Sequence, residues 1–226
     1  MKSILPIIYQ DEFIVVVDKP AGMAAEPAPS WKEADVVSSL SFPTYVVSRL
    51  DVGTSGLMLL PKTKPSYQAF KSLYQTRQIT KIYTALVEGW MKPKSALIDA
   101  PIGRRKAKDM RFGIINNGRP AITQYQVIDR FLDKDSNSPL KFDLVQAQPQ
   151  TGRTHQIRVH FSAIKHPVVG DQMYGARSFL DLNRYWLHAS ELHFLHPFSQ
   201  SQIDLFSTPP IQLQKIISAL QKINET

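Results

Sequence analysis

Cysteine is absent from this 226-residue sequence, so disulfides, thiolate nucleophiles and cysteine-ligated zinc or iron–sulfur centres are excluded. No apolar run approaches the roughly 20 residues needed to cross a bilayer. The opening Met1-Lys2-Ser3-Ile4-Leu5-Pro6 has neither the apolar core nor the small-residue cleavage site of a signal peptide. Internal repeats, low-complexity tracts and heptads are also missing. These absences permit a reducing compartment and predict a cytoplasmic protein, and a monomer, since no heptad or broad apolar stripe offers a partner face. Six histidines are present, yet none has the His-Glu-x-x-His spacing or a companion carboxylate triad, so no metal is expected. Gly53-Thr54-Ser55-Gly56 lacks the lysine of a phosphate-binding loop, which argues against nucleoside triphosphates.

Acidic residues are few: 19 Asp and Glu stand against 27 Lys and Arg, a net charge of +8. The imbalance is concentrated, because residues 62–119 hold 13 Lys and Arg and only 3 Asp and Glu. Such a stretch suits a polyanion, whose condensed counterions are released when lysines and arginines meet phosphates.

The hydrophobic pattern predicts a hairpin over Pro6 to Val17, ended by Asp18-Lys19-Pro20-Ala21-Gly22. A short helix is expected over Lys32 to Leu40 with Ser30 as its N-cap. Tyr45-Val46-Val47 and Leu57-Met58-Leu59-Leu60 read as buried strands flanking a polar loop. Lys64 to Gln78 carries Tyr67, Phe70 and Tyr74 on one helical stripe, and Ile79 to Trp90 alternates as a strand. Ser95 to Pro101 is a further strand, and Gly103 to Arg111 a mobile basic loop. Phe112 to Ile115 and Ala121 to Phe131 are expected to pair through a tight Asn117-Gly118 turn with positive φ angles. Lys141 to Gln148 follows as a strand. Thr151 onward is a loop that becomes a helix, with Ile157, Phe161 and Ile164 on one stripe and His155, Arg158 and Ser162 on the next. Leu187 to Phe194 and Ile203 to Phe206 close the sheet, and Pro210 to Asn224 forms a terminal helix.

The polar loop Ser48 to Gly56, with its single carboxylate Asp51, is the first candidate for chemistry, because a loop pinned between buried strands holds its side chains firmly. Such an aspartate can serve as nucleophile, base or ion-pair anchor, or can merely cap the turn by accepting from the Thr54 or Ser55 amides. The strand around Tyr83 and the loop-to-helix start from Gln150 to Arg158 are the other two polar stretches held by apolar elements.

Several segments, taken in order, resemble the RluA-type pseudouridine synthases over nearly the whole length. They are Ile8-Tyr9-Gln10-Asp11 with Val17-Asp18-Lys19-Pro20-Ala21-Gly22, then Arg49-Leu50-Asp51-Val52-Gly53-Thr54-Ser55-Gly56-Leu57. Lys81-Ile82-Tyr83-Thr84-Ala85-Leu86-Val87-Glu88-Gly89 and Gly118-Arg119-Pro120-Ala121-Ile122-Thr123-Gln124-Tyr125 follow. Thr151 to His160, His166 to Asp171 and Leu187-His188-Ala189 complete the pattern. The resemblance implies an α+β fold with a mixed, largely antiparallel central sheet and flanking helices. It implies one catalytic domain over residues 1–226, with two poorly separated lobes around a cleft. It implies a cofactor-free isomerase that flips a uridine of ribosomal or transfer RNA out of its stack and reattaches the base to the sugar through carbon.

By the same resemblance Asp51 is the essential aspartate, Arg158 the arginine that pairs with it and Tyr83 the ring that stacks on the base. Ile157 is the aliphatic pocket residue, and Arg49 fills the gap left by the flipped uridine. Thr54 and His155 join the substrate-binding candidates, with Arg104, Arg105, Lys106 and Lys108 as a phosphate clamp. One departure is Ser48, where relatives usually carry a histidine. The pattern starts near residue 4, as in compact members without an accessory RNA-binding domain. A catalytically silent RNA-binding or chaperone protein, and an RNA hydrolase using Asp51 with a histidine, are the rival readings.

Overall fold

The computed structural model describes residues 5–29, 31–105, 111–134, 139–179 and 182–223, which fall into two compact units. The first comprises Met1–Lys81 and His188–Thr208, the second Ile82–Leu187 and Pro209–Thr226.

In the first unit, β1 (Ile7–Gln10) and β2 (Ile14–Lys19) form the expected hairpin. Its turn is closed by Asp11, whose carboxylate accepts from the amides of Phe13 and Ile14 at 2.7 and 2.8 Å. β2 pairs antiparallel with β3 (Ser55–Pro61), a strand buried along its whole length, as its uninterrupted apolar run requires. The short helix α1 is confined to Val36–Ser39 and is capped by Asp35, not by a residue near Trp31; the expected cap Ser30 lies outside the described residues. Tyr45 to Val47 is not a strand. Tyr45 is 39% exposed, and a single backbone bond from its amide to Pro61 O ties the segment to the end of β3.

Helix α2 (Lys64–Gln75) starts with a capping box between Thr63 and Ser66 and lays Phe70 into a core with Ile14, Val16, Leu57, Leu59, Leu192 and Phe194. β10 (Leu187–Leu195) runs parallel to β3, pairing His188 with Ser55 and Ala189 with Gly56, and β11 (Gln202–Phe206) pairs antiparallel with β10.

The strand β4 (Ile79–Glu88) begins in the first unit and continues in the second. There it pairs antiparallel with β9 (Leu140–Pro149), which pairs with the long β8 (Ile122–Asp133). The free edge of β8 is shared by β5 (Ser95–Asp99) along its first half and β12 (Gln221–Ile223) along its second. The sheets are thus mixed and largely antiparallel, as expected of this α+β chain, with parallel pairing at β3 and β10. Helix α4 is shorter than its periodicity suggested, spanning Ile211–Ser218. The chain then turns into β12 because the exposed edge of β8 offers unpaired backbone groups that another helical turn could not satisfy. Leu213, Ile216 and Leu220 close a core with Leu86, Phe142 and Trp186.

The expected pairing of Phe112 with β8 is replaced. β7 (Phe112–Ile114) pairs with β6 (Ile102–Arg104), and Arg119 exchanges backbone bonds with Ile102. Gly118 is required for closeness and not for a positive φ, because a Cβ there would meet the Ile102 backbone at 2.7 Å. Residues 106–110 of the basic loop and 135–138 of the polar excursion lie outside the described residues.

Candidate active site

The loop bearing Asp51 is fixed from below. Lys19 is fully buried on β2, and its ammonium donates to the carbonyls of Pro20, Met23 and Val52 at 2.9, 2.8 and 3.3 Å. A buried lysine is tolerated only when its donors are satisfied, and here satisfaction requires Val52 to stay beside the Pro20 turn. Gly22, at φ +84°, adds an amide bond to the same Val52 carbonyl at 2.8 Å. On the far side of Asp51 its own carbonyl accepts from the Thr54 amide at 3.0 Å.

The exit from the loop is pinned by His188. Its Nε2–H donates to Ser207 O at 3.1 Å, which fixes the tautomer, so Ser55 Oγ donates to Nδ1 at 2.9 Å. Ser207 in turn donates to Asp18 at 2.9 Å, returning to the turn that holds Val52. Thr54 is only 2% exposed and forms part of this packed base.

A cation interacts electrostatically with Asp51 within its own unit. Lys81 of β4 is partly buried, and burial pushes its ammonium below the ordinary lysine value while the neighbouring Tyr74 and Asp51 oppose that shift. Its Nζ also donates to Ser48 Oγ at 3.4 Å. Lys81 was not among the residues singled out from the sequence, although it sits two positions before Tyr83, and strand alternation puts those two side chains on one face. Arg49 lies at the surface, its side chain 66% exposed and paired with Glu26 at 3.0 Å. An exposed pair of this kind is worth about 0–1 kcal/mol, so the guanidinium is readily released.

In the second unit Tyr83 is buried on β4 opposite Ala147 of β9. Helix α3 (Gln156–Ala163) is entered through His155 in a left-handed conformation, φ +56°. Gln156 locks that entry: its carbonyl accepts from Thr151 Oγ1 and the Arg153 amide at 2.7 and 3.0 Å, and its amide donates to Ile122 O and Thr123 Oγ1 at 2.9 and 3.0 Å. His160 is fully buried one turn on. Burial depresses its pKa and keeps it neutral, Nε2–H donating to Ala100 O and Nδ1 bonding Thr123 Oγ1.

Arg158 is 5% exposed and forms a bidentate pair with Asp171, Nε to Oδ2 at 2.6 Å and Nη2 to Oδ1 at 2.9 Å. Its guanidinium also lies 4.0 Å from the Tyr185 ring and 4.9 Å from the Tyr174 ring. The stripe formed by His155, Arg158 and Ser162 converges on Tyr174. His155 Nδ1 bonds its hydroxyl at 2.8 Å, Arg158 lies over its ring, and Ser162 Oγ donates to its carbonyl at 2.6 Å. Tyr174 and Asp171 are therefore what orient Arg158. Asp171 was part of a recognised motif with no role attached, and no local spacing marks a carboxylate as the bidentate partner of a side chain 13 residues away. Ile157 is buried beside Arg158. Arg104 and Arg105 are exposed at the end of β6, and Lys106 and Lys108 lie outside the described residues.

The first unit thus presents a carboxylate on a pinned loop with an ammonium in its electrostatic neighbourhood, and the second a buried, oriented guanidinium on a rigid helix. The chain matches the RNA pseudouridylate synthase family over residues 13–163. It is 38% identical over 233 residues to an uncharacterized RNA pseudouridine synthase of Mycobacterium bovis, covering 96% of this chain and 73% of that protein. It is 33% identical over 243 residues to the ribosomal large subunit pseudouridine synthase D of Yersinia pestis, covering 98% of this chain and 72% of that protein. Among solved structures it is similar to human RNA pseudouridylate synthase domain containing 1, with a TM-score of 0.78 and 26% identity, covering 99% of this chain and 90% of that chain.

Proposed function

This chain belongs to the RNA pseudouridylate synthase family and isomerises uridine to pseudouridine in RNA, and on that premise we propose that Asp51 is its reacting carboxylate. The observation that carries the assignment is the fixation of the Asp51 loop at Val52 by Lys19 and Gly22, with the Lys81 ammonium close enough to interact with the Asp51 charge. The carboxylate is the group that acts on the uridine.

In the reaction the N1–C1′ bond breaks and a C5–C1′ bond forms, the hydrogen at C5 leaves to solvent and N1 takes up a proton, so substrate and product are isomers. A base in a helical stack cannot be reached at its glycosidic bond and is flipped out first. Arg49 fills the vacated place, its weak surface pair with Glu26 costing little to open. Tyr83 stacks on the flipped base and Ile157 lines its pocket. Arg158, oriented by Asp171, balances the charge of the aspartate. Thr54 and His155 hold the two loops that receive the strand, and Arg104 and Arg105, with Lys106 and Lys108, clamp phosphates.

The two units work as one catalytic domain, as a cytoplasmic monomer acting on ribosomal or transfer RNA without a cofactor. No helix among the described residues is long and apolar enough to cross a membrane. Incubating the protein with uridine-labelled total RNA tests the reading. A carbon-linked nucleoside is expected after complete digestion. Cleaved fragments would indicate a hydrolase instead, and binding without conversion a silent RNA-binding protein.

A further inference from the structure

The second unit carries a groove of about 590 Å³ in which Arg104 is joined by residues that the chemistry above does not use. It lies at the base of the β6–β7 ribbon, and Arg104, Arg119 and Arg153 line it together with Phe112, Asn117 and Thr154. Its volume falls within the roughly 300–1,000 Å³ of small-ligand pockets. No acidic residue lines it, and among the described residues none of the three arginines forms an ion pair with a carboxylate. Three guanidiniums around one concavity repel one another unless an anion joins them.

The groove also holds an aromatic face in a fixed position. The Phe112 amide donates to the Tyr174 hydroxyl at 3.1 Å, and its ring stands edge-on to His155 with centroids 5.9 Å apart. Arg104 lies 5.7 Å from the same ring. An aromatic ring with a guanidinium beside it is a platform on which an unstacked base can lie. Gly152, which also lines the groove, leaves its backbone open, since a Cβ added there would meet nothing within 4 Å.

We propose that this groove holds one nucleotide of the RNA strand flanking the target uridine, its phosphate on Arg119 and Arg153 and its base against Phe112 and Arg104. The assignment rests on RNA being the substrate, and it adds to the synthase reading a second point of attachment that sets how the strand enters the enzyme.

Salt-dependent binding of the full chain to an unmodified ribosomal RNA transcript tests it, with conversion of [5-³H]uridine in the same transcript measured in parallel by tritium release. Arg119→Ala isolates the charge from folding, because its guanidinium makes no hydrogen bond or ion pair among the described residues. Arg153→Ala is the second variant, its Nε otherwise donating to Pro120 O. Each is expected to lower the slope of log K against log salt by about 0.7. Phe112→Leu, which keeps apolar volume but removes the ring, is expected to weaken binding about 5- to 150-fold with the slope unchanged, and Phe112→Trp to restore it. Parental slope and affinity in both arginine variants, while tritium is still released, would overturn the groove and leave the synthase reading standing. Groove-dependent binding without tritium release from the parent would do the reverse. An unaltered affinity in Phe112→Leu would overturn the placement of the base.

Discussion

Replacing Gly56 by alanine tests whether the close approach of β3 and β10 dictates the glycine that ends the Asp51 loop. Gly56 has φ +112°, and a Cβ placed there would lie 2.2 Å from Ala189 O, 2.7 Å from its N and 2.8 Å from its C. All three contacts are main-chain atoms of the strand paired with Gly56 in parallel register, so no side-chain rotation relieves them. Relief requires the strands to separate, which strains the Ser55–His188 bond on one side of the pairing. The backbone conformation costs about 1–3 kcal/mol for a residue with a Cβ. Overpacking adds about 1–3 kcal/mol. The sum of about 2–6 kcal/mol is a large share of the ~5–15 kcal/mol that stabilises a typical domain. At about 2–4 °C per kcal/mol for a chain of this size, the melting temperature should fall by about 4–24 °C. Gly22→Ala supplies the control, because Gly22 has φ +84° but open space around the added Cβ, so only the conformational cost applies. Calorimetric melts of the two variants isolate the contact as the difference between them, about 1–3 kcal/mol. A Gly56→Ala protein that melts no lower than Gly22→Ala would refute the argument from close approach.

Asp171→Ala leaves the Arg158 guanidinium buried without its bidentate partner and should cost about 3–5 kcal/mol in urea unfolding; a loss below about 1 kcal/mol would contradict the orienting role of that pair. Lys19→Met keeps the buried volume but strips a donor from three carbonyls. It should cost about 2–4 kcal/mol and expose the segment around Val52 to faster proteolytic nicking, and an unchanged digestion rate would count against the clamp. Burial alone would raise the Asp11 pKa, but bonds from Ile14 N, Tyr9 Oη and Phe13 N, with the buried His196 nearby, outweigh it and hold the carboxyl below its ordinary value. A depressed carboxylate pKa stabilises the fold above the unfolded value near 4, and that stabilisation is lost as pH falls through the folded value. Asp11→Asn should therefore flatten the decline in melting temperature between about pH 5 and pH 3, and identical profiles would remove Asp11 as a source of acid sensitivity.

Elements whose signal is local were legible in the sequence. The continuous apolar run of β3, the hairpin of β1 and β2, and the Tyr67, Phe70 and Tyr74 stripe of α2 each need only their own residues to be recognised. Elements decided by distant partners were not. Tyr45 to Val47 is apolar enough for a strand, but among the described residues it is tied to the sheet through one backbone bond, to Pro61. Asn117-Gly118 looks like a hairpin turn, whereas its glycine answers to the Ile102 backbone 16 residues away. The end of α4 becomes β12 because β8 has a free edge, which no periodicity in Pro210 to Asn224 records.

The candidate site divides in the same way. Asp51, Tyr83 and Arg158 stood out through the order of several motifs and not through any spacing of their own. Lys81, Asp171 and Tyr174 escaped because their roles exist only in three dimensions: a cation whose charge interacts with Asp51, a carboxylate gripping Arg158, and a residue on which His155, Arg158 and Ser162 meet. Lys19 stood in a recognised motif, but only its burial and three carbonyl partners reveal that it holds the Asp51 loop in place.

The central claim is that Asp51 reacts with the uridine. Its most direct test is single-turnover tritium release from [5-³H]uridine RNA by the Asp51→Asn protein, with RNA affinity measured on the same preparation. The amide keeps the size of the side chain and removes the reactive carboxylate, so the account predicts no release above background with affinity within about twofold of the parent. Tritium release by Asp51→Asn at the parental rate would contradict it.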